Sequence, residues 1–72
     1  MTTITLDERG KRCPLPVIAL GKAASAHPGA LIEVITDDPA ADHDIPAWCR
    51  MRNKQWLGMQ DFEQAKKHLI QT

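Results

Sequence analysis

The sequence predicts an α/β sandwich in which two helices pack on one face of a small sheet. Three observations predict it. A short segment alternating polar and apolar residues opens the chain, a nearly continuous β-branched run lies in its middle, and each is followed by apolar residues recurring every three to four positions. Strand, helix, strand, helix, then one or two further elements is the order that results.

The chain has 72 residues, room for one domain spanning residues 1–72 and one modest core. A domain of this size buries roughly 60% of its unfolded surface, so chemistry is expected near the surface rather than in an enclosed cavity. Nine basic and nine acidic residues cancel, which argues against a protein whose own field grips a nucleic-acid backbone. The N-terminus lacks the apolar region of a secretory signal, and no apolar run reaches membrane-spanning length. A cytoplasmic, reducing location is the expectation, with no membrane partner and a monomeric state.

Thr3 to Asp7 places Ile4 and Leu6 on one side, the period-two pattern of a half-buried strand. Glu8-Arg9-Gly10-Lys11-Arg12 breaks that pattern and forms a loop. From Pro14 to about Ala26, Val17, Ile18, Leu20 and Ala24 recur at helical steps. His27-Pro28-Gly29 ends the helix, because proline disfavours helical angles in the residue before it.

Ala30 to Thr36 is rich in β-branched residues and reads as a central strand. Asp37 to Ala41 supplies turn residues. Asp42-His43-Asp44-Ile45-Pro46 reads as a helix start, with Pro46 in the first turn and the helix running to about Asn53. Its core face carries Ile45, Trp48 and Cys49. In the tail, Gln55 to Gln60 reads as a strand, whereas propensity alone favours helix for Glu63 to Leu69.

The chemistry concentrates at Arg12-Cys13-Pro14-Leu15-Pro16. Pro14 pushes Cys13 out of the helical region, so the thiol is expected just before a helix, where backbone N–H groups are unpaired and the dipole is positive. With Lys11 and Arg12 beside it, this setting predicts a thiolate-favouring, nucleophilic sulfur. A free cysteine is often a small buried hydrophobe instead. The flanking prolines and basic pair argue against that for Cys13, while Cys49, mid-helix beside Trp48, reads as packed and inert.

Leu6-Asp7, Gly10, Arg12-Cys13-Pro14, Pro16-Val17, Pro28-Gly29, Asp37-Asp38-Pro39-Ala40, Asp44-Ile45-Pro46 and Cys49 stand in an order that resembles the TusA/SirA-like family of small sulfur carriers. The likeness spans nearly the whole chain. It implies a two-layer βαβαββ sandwich with a four-stranded mixed sheet, and so makes Gln55–Gln60 the third strand and Ala65–Gln71 the fourth. It also implies that Cys13 accepts sulfane sulfur as a persulfide from a cysteine desulfurase or rhodanese-like donor and relays it to an acceptor protein, as in tRNA thiolation. No cofactor or metal is implied. Leu15 stands where the family often has an acidic residue, Ala47 replaces a glycine, and Asp61-Phe62-Glu63-Gln64 joins the last strands without one.

Lys11, Arg12, Pro14 and Pro16 are the candidates for positioning or activating the thiol, and Arg9 and Leu15 for a partner surface. Arg9, Lys11 and Arg12 read equally as a solvated loop. The acidic residues Asp37, Asp38, Asp42 and Asp44 suggest hard-cation ligands, but read better as turn and cap chemistry, with Asp38 or Asp42 capping. His27, His43 and His68 lack metal-ligand spacing and read as solvated. Trp48 and Trp56 read as core. A second class of function, a redox or peroxide sensor, would use Cys13 with Cys49 as its resolving partner; a third is a non-catalytic interaction domain.

Overall fold

The computed structural model describes residues 2–72. The elements follow as β1 (Thr3–Asp7), α1 (Leu15–Ala26), β2 (Leu31–Thr36), α2 (Pro39–Met51), β3 (Gln55–Phe62) and β4 (Ala65–Gln71). They build a four-stranded mixed sheet in the order β1-β2-β4-β3. β1 runs parallel to β2, which needs a crossover, and α1 provides it. β2 pairs antiparallel with β4, and β4 with β3. The expected α/β sandwich is therefore present, including the strand at the tail that propensity alone disfavoured. β4 forms because it inserts between β2 and β3, where ladder bonds on both sides and burial of Ile70 outweigh a local helix preference.

One apolar core joins the layers. Leu20 and Ala24 of α1, Ala41, Ile45 and Cys49 of α2, Ile32 and Val34 of β2 and Ile70 of β4 meet in a single cluster, so both helices cover the same sheet face. α1 is rotated from the expected setting: Pro16, Leu20 and Ala24 are buried at four-residue steps, while Ile18 stays 46% exposed. Burying each such aliphatic side chain contributes roughly 1.5–3 kcal/mol.

The start of α2 differs from expectation. It begins at Pro39 rather than near Asp42, because Asp38 and Pro39 already form a complete start signal: the Asp38 carboxylate accepts from the Ala40 N–H at 3.0 Å, and Pro39 occupies the first turn. Pro46 consequently lies inside the helix, not in its first turn. A proline there has no N–H for the preceding turn, a cost of about 3 kcal/mol in an unsupported helix. Here the cap and the buried Ala41, Ile45 and Cys49 hold the segment helical. The helix ends at Met51, and Asn53 beyond it takes a positive φ of 56°.

β3 reaches Phe62, two residues further than expected, with Asp61 opposite Lys66 and Phe62 opposite Ala65. The connection shrinks to Glu63-Gln64, both at positive φ (47° and 66°), the angles of a tight two-residue hairpin turn.

His68 is the clearest departure. Rather than solvated, it is fully buried, because the period-two pattern of β4 turns it with Ile70 towards the helices. Its Nδ1 accepts from the Trp56 Nε1–H at 3.2 Å, leaving Nε2 to donate to Asp42 at 3.1 Å. Trp56 itself is 37% exposed on the edge strand, less enclosed than expected, and Trp48 is half-buried against the core.

Candidate functional site

Cys13 lies in the loop between β1 and α1, exposed, two residues before the first helical residue. Pro14 takes the cap position of α1 with no side-chain cap, and the Cys13–Pro14 peptide is cis. The helix starts on backbone bonds alone: the Leu15 N–H donates to Arg12 at 2.9 Å and the Ile18 N–H to Pro14 at 3.0 Å. Pro16 sits within the first turn and is buried, anchoring that turn to the core.

What holds the loop is the start of the other helix. The Gly10 N–H donates to both carboxylate oxygens of Asp37, at 3.0 and 3.2 Å. Gly10 has a φ of +82°, a conformation that only glycine adopts freely. The Cys13 N–H donates to Asp38 Oδ2 at 2.6 Å, while Asp38 Oδ1 caps α2. One carboxylate thus starts α2 and fixes the backbone of the cysteine. The Asp38 N–H in turn donates to the hydroxyl of buried Thr36 at 3.2 Å, so the clamp is tied to the end of β2.

The side chain of Cys13 is held as well. Its Sγ donates to Asp44 Oδ2 at 2.8 Å. Asp44 follows the first turn of α2 and precedes fully buried Ile45. The acidic surroundings reverse the expected electrostatics. The hydrogen bond to Asp44 pushes the thiol pKa above its ordinary value, and partial desolvation and the negative charges of Asp44 and Asp38 act in the same direction. Asp38 is itself held below the usual carboxylate range, chiefly by the Cys13 and Ala40 N–H groups, with Arg12 nearby adding to the effect.

Neither basic residue expected to activate the thiol is bonded to its sulfur, which donates to Asp44. Lys11 Nζ pairs with the buried Glu8 carboxylate at 3.3 Å. Arg9 makes a two-pronged bond to Asp7, at 2.9 and 2.7 Å, and reaches Glu63 at 3.3 Å. Arg9 therefore ties the end of β1 to the β3–β4 turn. Asp7 is drawn down to about 2 by that pairing. Arg12 is exposed beside Asp38, and Leu15 is 50% exposed in the first turn of α1.

Residue patterning near the cysteine did not reveal Asp37, Asp38 or Asp44 as part of the site. The signal was present in Asp37-Asp38-Pro39 and Asp44-Ile45-Pro46, but it reads locally as turn and cap chemistry. Only the tertiary fold brings Asp38 and Asp44 to the cysteine and Asp37 to Gly10.

Cys49 is not part of this arrangement. It is free, 1% exposed within the core, and burial pushes its thiol pKa up. Among the described residues, no group of three or more His, Cys, Asp or Glu side chains is arranged to hold a metal ion. No helix among them is long and apolar enough to cross a membrane. Between α1 and α2 runs an open groove of about 910 Å³, lined by Ile18, Gly21 and Trp48 with Lys22, Arg52 and Lys54 at its edge.

An exposed thiol outside any enclosed cavity, with its backbone and its proton both held by carboxylates, is suited to exchange at sulfur with a large partner. Such exchange requires access above all, and a proton that can leave. Comparison with known families finds that the model described as Sulfurtransferase TusA matches residues 4–72.

Proposed function

The chain belongs to the Sulfurtransferase TusA family, and from that premise we propose that Cys13 takes up sulfane sulfur as a persulfide and hands it to an acceptor protein. The donor is of the cysteine desulfurase or rhodanese-like kind, and the destination is tRNA thiolation or another sulfur-trafficking pathway in the cytoplasm. No cofactor of the chain's own enters this chemistry. The observation that carries the reading is the exposure of Cys13 at the lip of α1, where its sulfur can enter another protein's active site.

Within this reading the prolines position the sulfur. Pro16 fastens the first turn to the core and Pro14 sets the chain direction into it. Lys11 keeps the loop closed on Glu8, Arg12 offsets the charge of Asp38, and Leu15 offers an apolar contact to the incoming partner. Arg9 acts through the β1 end and the hairpin turn, with its charge largely matched within the chain. The burial of Cys49 weighs against a redox pair with Cys13.

Incubation with a cysteine desulfurase and cysteine is expected to add one sulfur mass at Cys13. Cys13→Ser should lose the adduct, and Cys49→Ala should keep it. No adduct on the wild-type chain with any competent desulfurase or rhodanese-like donor would overturn the carrier reading.

A further inference from the structure

We propose that Asp44 is the proton acceptor of the sulfur-loading step, taking the thiol proton as Cys13 attacks the donor persulfide; this rests on the carrier reading above. The carboxylate is already in place, since Cys13 Sγ donates to Asp44 Oδ2 at 2.8 Å. A base must lie within hydrogen-bond reach of the proton it removes, and Asp44 does so before any donor arrives.

Structural duties do not account for Asp44. The cap of α2 is Asp38, and the acidic residue in its first turn is Asp42. Among the described residues, Asp44 has no cation within salt-bridge distance, and its side-chain hydrogen bond is to the reacting sulfur. It is also firmly carried, one residue before fully buried Ile45. The cysteine is held through its backbone at 2.6 Å by Asp38, the cap of the helix that carries Asp44. Sulfur and carboxylate are therefore both fixed from α2 and face each other.

The charges around the pair explain why a base is required. α2 contributes Asp44 and its cap Asp38, the loop contributes Arg12 on the Asp38 side, and Lys11 is paired with Glu8. The first turn of α1 contributes no acidic residue. A free thiolate here would face two carboxylates. Moving the proton while the new bond forms avoids that state.

The step balances. The Cys13 sulfur attacks the outer sulfur of a donor persulfide, a new S–S bond forms, and the bond from that outer sulfur to the donor cysteine breaks with its electron pair staying on the donor. The thiol proton passes to Asp44 and on to the leaving thiolate. The donor ends as a thiol and Cys13 as the persulfide, with no net oxidant or reductant.

The test uses the full chain as wild type, Asp44→Asn and Asp44→Glu, with two rates measured from pH 6 to 9. One is alkylation of Cys13 by iodoacetamide, which reports the thiolate; the other is single-turnover loading from a desulfurase persulfide. Asp44→Asn should alkylate faster at pH 7, because the group that holds the proton is gone, yet load about tenfold more slowly or worse. Asp44→Glu should recover part of the loading. Wild-type loading should show a solvent deuterium isotope effect, a readout that does not depend on any variant folding. Loading of Asp44→Asn at or above the wild-type rate, or no isotope effect in wild type, would overturn the assignment of Asp44 and leave the carrier reading standing. Failure of wild type to load from any donor would overturn both.

Discussion

Asp38 shows how one side chain can serve two structures. Its Oδ1 accepts from the Ala40 N–H and starts α2, while its Oδ2 accepts from the Cys13 N–H and fixes the loop that carries the thiol. These two tasks separate chemically. Asparagine caps helices about as well as aspartate, but its amide end cannot accept the Cys13 N–H. Asp38→Asn should therefore lower the urea midpoint less than Asp38→Ala, which loses the cap as well. Both should slow sulfur loading by about tenfold or more, since a reacting atom displaced by about 1 Å can lose two orders of magnitude. Loading unchanged in Asp38→Asn would show that the backbone bond does not position the sulfur. The cysteine and its prolines were legible from local pattern alone, because their meaning is written in neighbouring residues. The role of Asp38 was half legible: its cap is local, but its second bond joins residues 25 positions apart.

Among the elements, both helices and β2 declare themselves by periodicity and by their turn residues, with edges blurred where two signals compete. Asp38-Pro39 and Asp42 to Pro46 both resemble helix starts. The earlier one prevails because its cap is made and the register it sets buries Ala41, Ile45 and Cys49. The β3–β4 hairpin was harder to place, since its turn lacks the glycine that ordinarily marks one. Glu63 and Gln64 both adopt positive φ, held there by the pairing of Phe62 with Ala65 and Asp61 with Lys66. A left-handed conformation costs an ordinary residue about 1–2 kcal/mol, and a glycine would give back about 0.5–1 kcal/mol of that in chain entropy. Gln64→Gly is thus expected to stabilise the fold by about 0.5–1 kcal/mol, read as a higher urea midpoint with an unchanged slope. A midpoint at or below wild type would mean that the turn is relaxed as it stands.

Across the whole molecule, the two layers are joined by more than their apolar core. Trp56 on β3, His68 on β4 and Asp42 on α2 form a hydrogen-bonded chain from the sheet edge to the helix layer. Sequence reading missed it because a histidine between Lys67 and Leu69 is unremarkable until the strand pairing shows which way it faces. Burial is the main influence on the imidazole and lowers its pKa below the ordinary 6.5, with Lys66 acting in the same direction and Asp42 opposing both. With Nδ1 already accepting from Trp56, a second proton would also set two donors against each other. The unfolded chain therefore binds more protons at this site than the folded one as pH drops below about 6.5. Stability contributed by neutral His68 should be complete above that value and be lost as pH falls through the lower folded value. Carboxylates held low in the fold, such as Asp7, Asp38 and Asp61, lose their contribution only below about pH 4, so a comparison between pH 8 and pH 5 isolates the histidine. The wild-type urea midpoint should be lower at pH 5 than at pH 8, and His68→Gln should flatten that difference even if it lowers stability at both. Equal midpoints in wild type, or an undiminished difference in His68→Gln, would remove the histidine from the link between the layers.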